Sequence, residues 1–182
     1  SILEGFVNEV PPGADGLVFL PFLTGERGTH YNAAARGVLF GLTLRHDRRH
    51  IARATMEGVA FRMKSVFEAL HDLVGEPEEI RVTGGFTRSQ TWLQIVADVL
   101  EQPLVVMEGD ETTAVGAALL GQVALGLKPT LEEAVKHQRI LSVVQPDPSK
   151  TELYRKMFGL FMDIYQRVTP NFAELEQLTR GK

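Results

Sequence analysis

The chain has 182 residues, 44% of them hydrophobic and 23% charged, which is enough apolar content for one sizeable core and too much for a disordered segment. A formal net charge of -4 and a pI near 5.7 argue against a nucleic-acid partner, because no basic cluster supplies a polyphosphate footprint. The absence of cysteine removes disulfides and thiolate metal sites and points to a reducing cytoplasm, and no apolar run approaches the ~20 residues of a membrane span.

Residues 1–16 read as a mixed connection ending in the turn-rich PPGADG, which feeds a strand over Leu17 to Phe22. The polar stretch TGERGTHYNAAARG follows, with no apolar period. Its length and its Glu26-Arg27 pair point to a functional loop. Gly37 to Leu44 reads as a second strand. Asp47 then caps a long helix that Gly75 stops, with Ile51, Thr55, Val59, Met63, Val66, Phe67, Leu70 and Val74 on its apolar face. The basic run Arg45 to Arg53 fits the solvated first turns of that helix, and Glu57 fits a solvated or paired carboxylate rather than a catalytic one. Gly58, costly by about 1 kcal/mol inside a helix, implies close packing against another backbone.

Ile80 to Thr83 alternates as a strand should, and Gly84-Gly85 removes Cβ where the chain must turn. Ser89 or Thr87 caps the next helix, whose Trp92, Ile95, Val96, Val99 and Leu100 share one face. A strand, a glycine turn and a helix N-terminus suit phosphate or ribose oxygens, but from this stretch alone an ordinary strand-to-helix turn is the preferred reading. Leu104 to Met107 reads as a short buried strand. Of the acids after it, Glu108, Asp110 and Glu111, a metal site is one reading and complementation of the next helix dipole the preferred one. From Thr112 the helix is rich in Gly and Ala, so that Gly116, Ala117 and Gly121 allow close approach of a neighbouring backbone or a ligand. Thr130 caps a short amphipathic segment with Glu133 three residues on. A polar linker carries Pro146 and Pro148, and a final helix places Leu153, Tyr154, Met157, Phe158, Phe161, Ile164, Tyr165 and Val168 on one side until Pro170 bends or ends it. The five histidines form no metal-ligand motif. The reading is one α/β domain over residues 1–182 in the order β, loop, β, α, β, α, β, α, α, α.

Three segments together carry a family resemblance. LPFLTGERGTHYNAAARGVLFGLTLRHDRRHIARATMEGVAF, TGGFTRSQTWLQIVADVLEQPLVV and ETTAVGAALLG resemble, in order and spacing, the C-terminal domain of FGGY-family carbohydrate kinases. Within the family the pattern is most like gluconate kinases, with xylulose kinases next. The resemblance implies the C-terminal half of an actin-like, hexokinase-like (ribonuclease H-like) ATPase fold that lacks its first β-hairpin, with ATP or ADP and a sugar bound between two domains. It implies that Gly84 and Gly85 approach the α-phosphate and ribose, that Ser89 lies by the adenine, that Gly116 lets its helix pack behind that site, and that Arg27 of the GER loop serves polyphosphate or a structural ion pair. The catalytic Asp and most ligands of the Mg2+ ion belong, on the same resemblance, to an N-terminal domain upstream of Ser1. The chain alone is therefore expected to be inactive, and the Gly37 to Leu44 strand to be left with an open edge that invites self-association.

Overall fold

The computed structural model describes residues 2–108, 112–135 and 139–179. The reading of Asp110 and Glu111 lies outside these. Residues Ile2–Asn8 form a helix (α1), which the mixed composition of this segment does not announce. The PPGADG turn then reverses the chain, with positive φ at Gly13, Ala14, Asp15 and Gly16. It delivers β1 (Val18–Leu20), which pairs antiparallel with β2 (Val38–Phe40). These two strands form a sheet of their own.

Asp47 caps α2 (Arg48–Val74) as expected: its side chain accepts from the Arg49 N–H, and the His50 Nδ1 lies 3.1 Å from the Asp47 nitrogen. The Arg49 guanidinium and His50 beside it hold the Asp47 carboxyl well below the usual carboxylate range. The face that α2 buries differs from the one its apolar repeat suggests. Arg53, Ala54, Glu57, Gly58, Phe61, Lys64 and Ser65 are buried, whereas Ile51, Leu70 and Val74 are exposed. The helix runs unbroken through Gly58, where Phe19 of β1 lies directly against it: a Cβ there would sit 2.2 Å from the Phe19 carbonyl oxygen. Nor is the basic run wholly solvated, since Arg53 is buried against Glu57 at 2.7 Å.

β3 (Ile80–Val82) pairs parallel with β4 (Leu104–Met107), joined by α3 (Gln90–Leu100). β4 is buried throughout. On its other side it pairs antiparallel with β5 (Ile140–Val144), which replaces the first part of the expected polar linker. The sheet order is β3-β4-β5. Between β4 and β5 lie α4 (Thr112–Ala124) and α5 (Leu131–Val135), the latter capped by Thr130 as expected. Asp98 of α3 is buried and pins the connection after β5, accepting from the Asp147 N–H and from Lys150 Nζ. The last helix, α6 (Thr151–Thr179), runs on through Pro170. That proline is exposed, so the carbonyl left without a donor one turn earlier faces water, while Phe172 beyond it is buried and keeps the helix docked.

One continuous core links these parts, from Val7 and Leu20 through Phe61, Leu93, Val96 and Leu104 to Tyr154, Phe161 and Phe172. Phe61 meets Tyr154 edge to face and Phe161 at a tilt (6.1 and 5.7 Å between centroids), tying α2 to α6.

Candidate nucleotide site

The turn between β3 and α3 is built by a few short hydrogen bonds. Gly84 takes φ 94° and ψ -177°, a conformation that disfavours any side chain. Its carbonyl oxygen accepts from both the backbone N–H and the hydroxyl of Thr87, at 3.0 and 2.7 Å. A single 3-10 turn, Gly85–Arg88, follows and ends where the Ser89 N–H donates to the Phe86 carbonyl. Ser89 then caps α3 by accepting from the Trp92 N–H at 3.2 Å. Of the two capping candidates in the sequence, Ser89 is the cap and Thr87 closes the turn.

This turn stands at the carboxyl end of a parallel strand, the place where open α/β sheets bind ligands. A cavity of about 360 Å3 opens there, lined by Glu4, Met56, Gly85, Phe86, Arg88, Ser89 and Trp92. α1 and α2 supply one wall, and the turn and first residues of α3 supply the other. Phe86 and Trp92 meet edge to face with centroids 6.0 Å apart, giving the second wall a rigid aromatic corner. The indole Nε1 of Trp92 is out of water without an acceptor.

Gly85 is the most telling residue. No atom lies within 4 Å of where its Cβ would be, and its φ is not in the left-handed range. Neither packing nor turn geometry demands glycine at this position, so the space it leaves is available to a bound group.

Gly84, Gly85 and Ser89 are thus brought together. Gly116 is not: it sits on α4, outside the cavity, and a Cβ there meets nothing within 4 Å, so the close helix packing expected at Gly116 and Gly121 is absent among the described residues. α4 instead exposes Val115 and Leu120. Arg27 is exposed and also apart from the cavity. The GER loop is organised by its neighbour Glu26, which is 1% exposed and accepts from the Gly28 and His30 N–H groups at 2.7 and 2.9 Å and from Arg62. The structural ion pair of that loop is therefore Glu26 with Arg62. Glu4, Met56, Phe86, Arg88 and Trp92 were missed as lining residues. Glu4 and Met56 come from elements remote in sequence, whereas Phe86 and Arg88 lie between the glycines and Ser89 and could have been named from that position. No group of three or more acids or histidines among the described residues could hold a metal ion.

Comparison with known proteins decides the lineage. Residues 6–125 match the model of the FGGY family of carbohydrate kinases, C-terminal domain. The chain belongs to that family. It is 34% identical over all 182 residues to a gluconokinase of Bacillus licheniformis, covering 36% of that protein. It is 33% identical over 166 residues to a xylulose kinase of Bacillus subtilis (strain 168), covering 91% of this chain and 33% of the relative. The gluconate kinase of Lactobacillus acidophilus superposes with a TM-score of 0.86 at 31% identity, covering 95% of this chain and 35% of the other. The fold is accordingly that of the C-terminal half of an FGGY kinase, in the actin-like, ribonuclease H-like ATPase class. This FGGY chain spans about a third of the length of the relatives it matches.

Proposed function

We propose that the chain forms the nucleotide-binding wall of an ATP-dependent carbohydrate kinase acting on gluconate, with xylulose as the alternative substrate. The observation that carries this reading is Gly85, whose empty Cβ position opens onto a cavity at the carboxyl end of β3 in a chain of kinase lineage. The cavity is of the size that small-molecule sites occupy. Phe86 and Trp92 present apolar ring surface on which a purine can lie, Arg88 brings a cation, and Gly85 lets backbone N–H groups approach phosphate or ribose. Gly84 sets the turn and Ser89 fixes the start of α3, while Gly116 and Arg27 take part only through groups that this chain does not bring to the cavity. The order of the two substrates follows the sequence patterns shared with gluconokinases over the whole chain.

The bound nucleotide would supply the phosphoryl group for transfer to a primary hydroxyl, with its Mg2+ held by residues of the N-terminal portion that the relatives possess. A cytoplasmic location suits such a kinase. No helix among the described residues is long and apolar enough to cross a membrane.

Trp92 is the only tryptophan in the chain, so the site carries its own reporter. Titration with ATP or ADP is expected to change its fluorescence saturably in the micromolar to millimolar range. Gly85→Val is expected to weaken that response at least tenfold while leaving the melting temperature nearly unchanged, because only its chain neighbours lie within 4 Å of the added Cβ. An unaltered response to millimolar nucleotide in the wild-type chain overturns the proposal.

A further inference from the structure

A helix of seven residues such as α1 is unstable in water by itself, so the cavity wall it forms with α2 is only as fixed as the contacts that reach it. Val7 is buried in the core and supplies adhesion, but apolar contact is non-directional and leaves the setting of the helix open. Polar ties settle it. At the surface Glu9 pairs with Arg49 at 2.7 Å, and Thr91 Oγ1 donates to Asn8 Oδ1 at 3.1 Å. Exposed ties of this kind are weak.

The buried tie is Arg53. The chain leaves α1 through Val10-Pro11-Pro12, so the helical donor for the Val7 carbonyl would be residue 11, a proline with no N–H. The residue that stands likewise to Val10 is Ala14, whose N–H donates to the Pro11 carbonyl instead at 3.1 Å. Arg53 Nη1 serves both oxygens, donating to the carbonyls of Val7 and Val10 at 3.1 and 2.9 Å, and the Val7 oxygen takes besides a longer bond of 3.3 Å from the Val10 N–H. The other nitrogens of Arg53 are held from behind: Nε donates to Glu57 Oε1 at 2.7 Å and Nη2 to Tyr154 Oη at 3.1 Å. All three side chains are buried. A planar fork that meets four acceptors in fixed directions is a geometry that lysine lacks.

This network touches the cavity twice. Glu4 lies three residues before Val7 on α1, Met56 directly precedes Glu57 on α2, and both line the cavity, whereas Arg53 does not. We propose that Arg53 is a positioning residue for the nucleotide: held by Glu57 and Tyr154, it sets α1 against the glycine turn and so fixes the width of the cavity without touching what binds there. This rests on the nucleotide reading.

The chain has one tryptophan and no cysteine, so the setting of α1 can be followed without nucleotide by energy transfer from Trp92 to a dansyl group on Gly5→Cys. Gly5 is exposed, and no atom beyond its chain neighbours and its own helix backbone lies within 4 Å of an added Cβ. Arg53→Lys keeps the charge beside Glu57 and gives up the fork. It is expected to lower the transfer efficiency and, in the unlabelled chain, to raise the Kd for ATP about tenfold, the equivalent of the lost charge-assisted bonds. Lys64→Gln is the control for destabilisation alone, since Lys64 is a buried cation of the same helix whose partner, Glu101, lies away from α1; it is expected to change neither reading. Tyr154→Phe removes one holder of Arg53 and keeps the ring in the core, and is expected to move both readings in the direction of R53K by a smaller amount, so the test stands if R53K fails to fold. A wild-type chain that does not respond to ATP overturns the nucleotide reading and this inference with it. A wild type that responds while R53K and Y154F bind ATP as tightly, while their Kd rises without a change in transfer, or while K64Q loosens ATP as much as R53K does, overturns the positioning role alone.

Discussion

Glu57 shows how a single buried carboxylate organises the half of the molecule that faces the cavity wall. Its Oε1 accepts from Arg53 Nε at 2.7 Å, from the Gly13 N–H at 3.0 Å and from Tyr154 Oη at 2.9 Å. Arg53 in turn donates to the carbonyls of Val7 and Val10 and to Tyr154. Four parts of the chain meet there: α1, the PPGADG turn, α2 and α6. The other oxygen, Oε2, is buried without a partner. Burial pushes the Glu57 carboxyl above its ordinary 4.5, against the pull of Arg53. The folded state then holds that proton to a higher pH than the unfolded state does, so the associated stability is complete below pH 4.5 and is lost as pH rises through the raised value. Urea unfolding of the wild type, compared with Glu57→Gln, is expected to show a fall in stability above that pH which the Gln variant lacks. Identical pH profiles would remove Glu57 from the account. Glu57→Ala, which strands Arg53 in the core, is expected to cost about 3–5 kcal/mol in the same measurement.

At the scale of elements, the contrast between two glycines separates packing from sequence habit. A methyl at Gly58 would press on the Phe19 carbonyl at 2.2 Å, and backbone cannot step aside as a flexible side chain can. Gly58→Ala is therefore expected to destabilise by about 2 kcal/mol or more, despite the better helix propensity of alanine. Gly121 on α4 meets nothing, so Gly121→Ala is expected to stabilise by about 0.5–1 kcal/mol. Thermal melts of the two variants should move in opposite directions. The close approach at Gly58 was legible because a lone glycine in a strong helix needs a reason. The same inference failed at Gly116 and Gly121, where small residues imply a neighbour but not that the neighbour is in this chain. The cap Asp47, the buried strand β4 and the inward faces of α3 and α6 were legible from spacing alone, whereas for α3 spacing left Ser89 and Thr87 as alternative caps. β5 was not, because its Ile140, Leu141 and Val143 are exposed and its place is set by backbone pairing to β4, which leaves no alternation to read. The buried face of α2 is not legible for the opposite reason: Arg53, Glu57, Gly58 and Lys64 interrupt its apolar residues Ala54, Met56, Ala60 and Phe61, and the partners that bury Arg53, Glu57 and Lys64, such as Val7, Tyr154 and Glu101, lie far away in sequence.

For the whole molecule, the decisive question is whether the nucleotide wall proposed for the chain can do chemistry by itself. Phosphoryl transfer needs a base within hydrogen-bond reach of the acceptor hydroxyl and cations on the phosphates, so positioning supplies most of the rate. Glu4 is the one carboxylate among the residues lining the cavity, and it stands on the wall opposite the glycine turn rather than in a second domain that could close over a sugar. No cluster of acids among the described residues offers a metal site. Supplied with MgATP and either gluconate or xylulose, the chain alone is therefore expected to release no ADP above the rate of spontaneous hydrolysis, while Trp92 still reports nucleotide. A coupled ADP assay run beside the fluorescence titration tests both halves of that statement. Binding without turnover places the missing chemistry in the portion that the relatives carry beyond their match to this chain. Sustained, sugar-dependent ADP release would instead mean that the chain assembles a base and a metal site of its own, and would overturn the division of labour proposed for it.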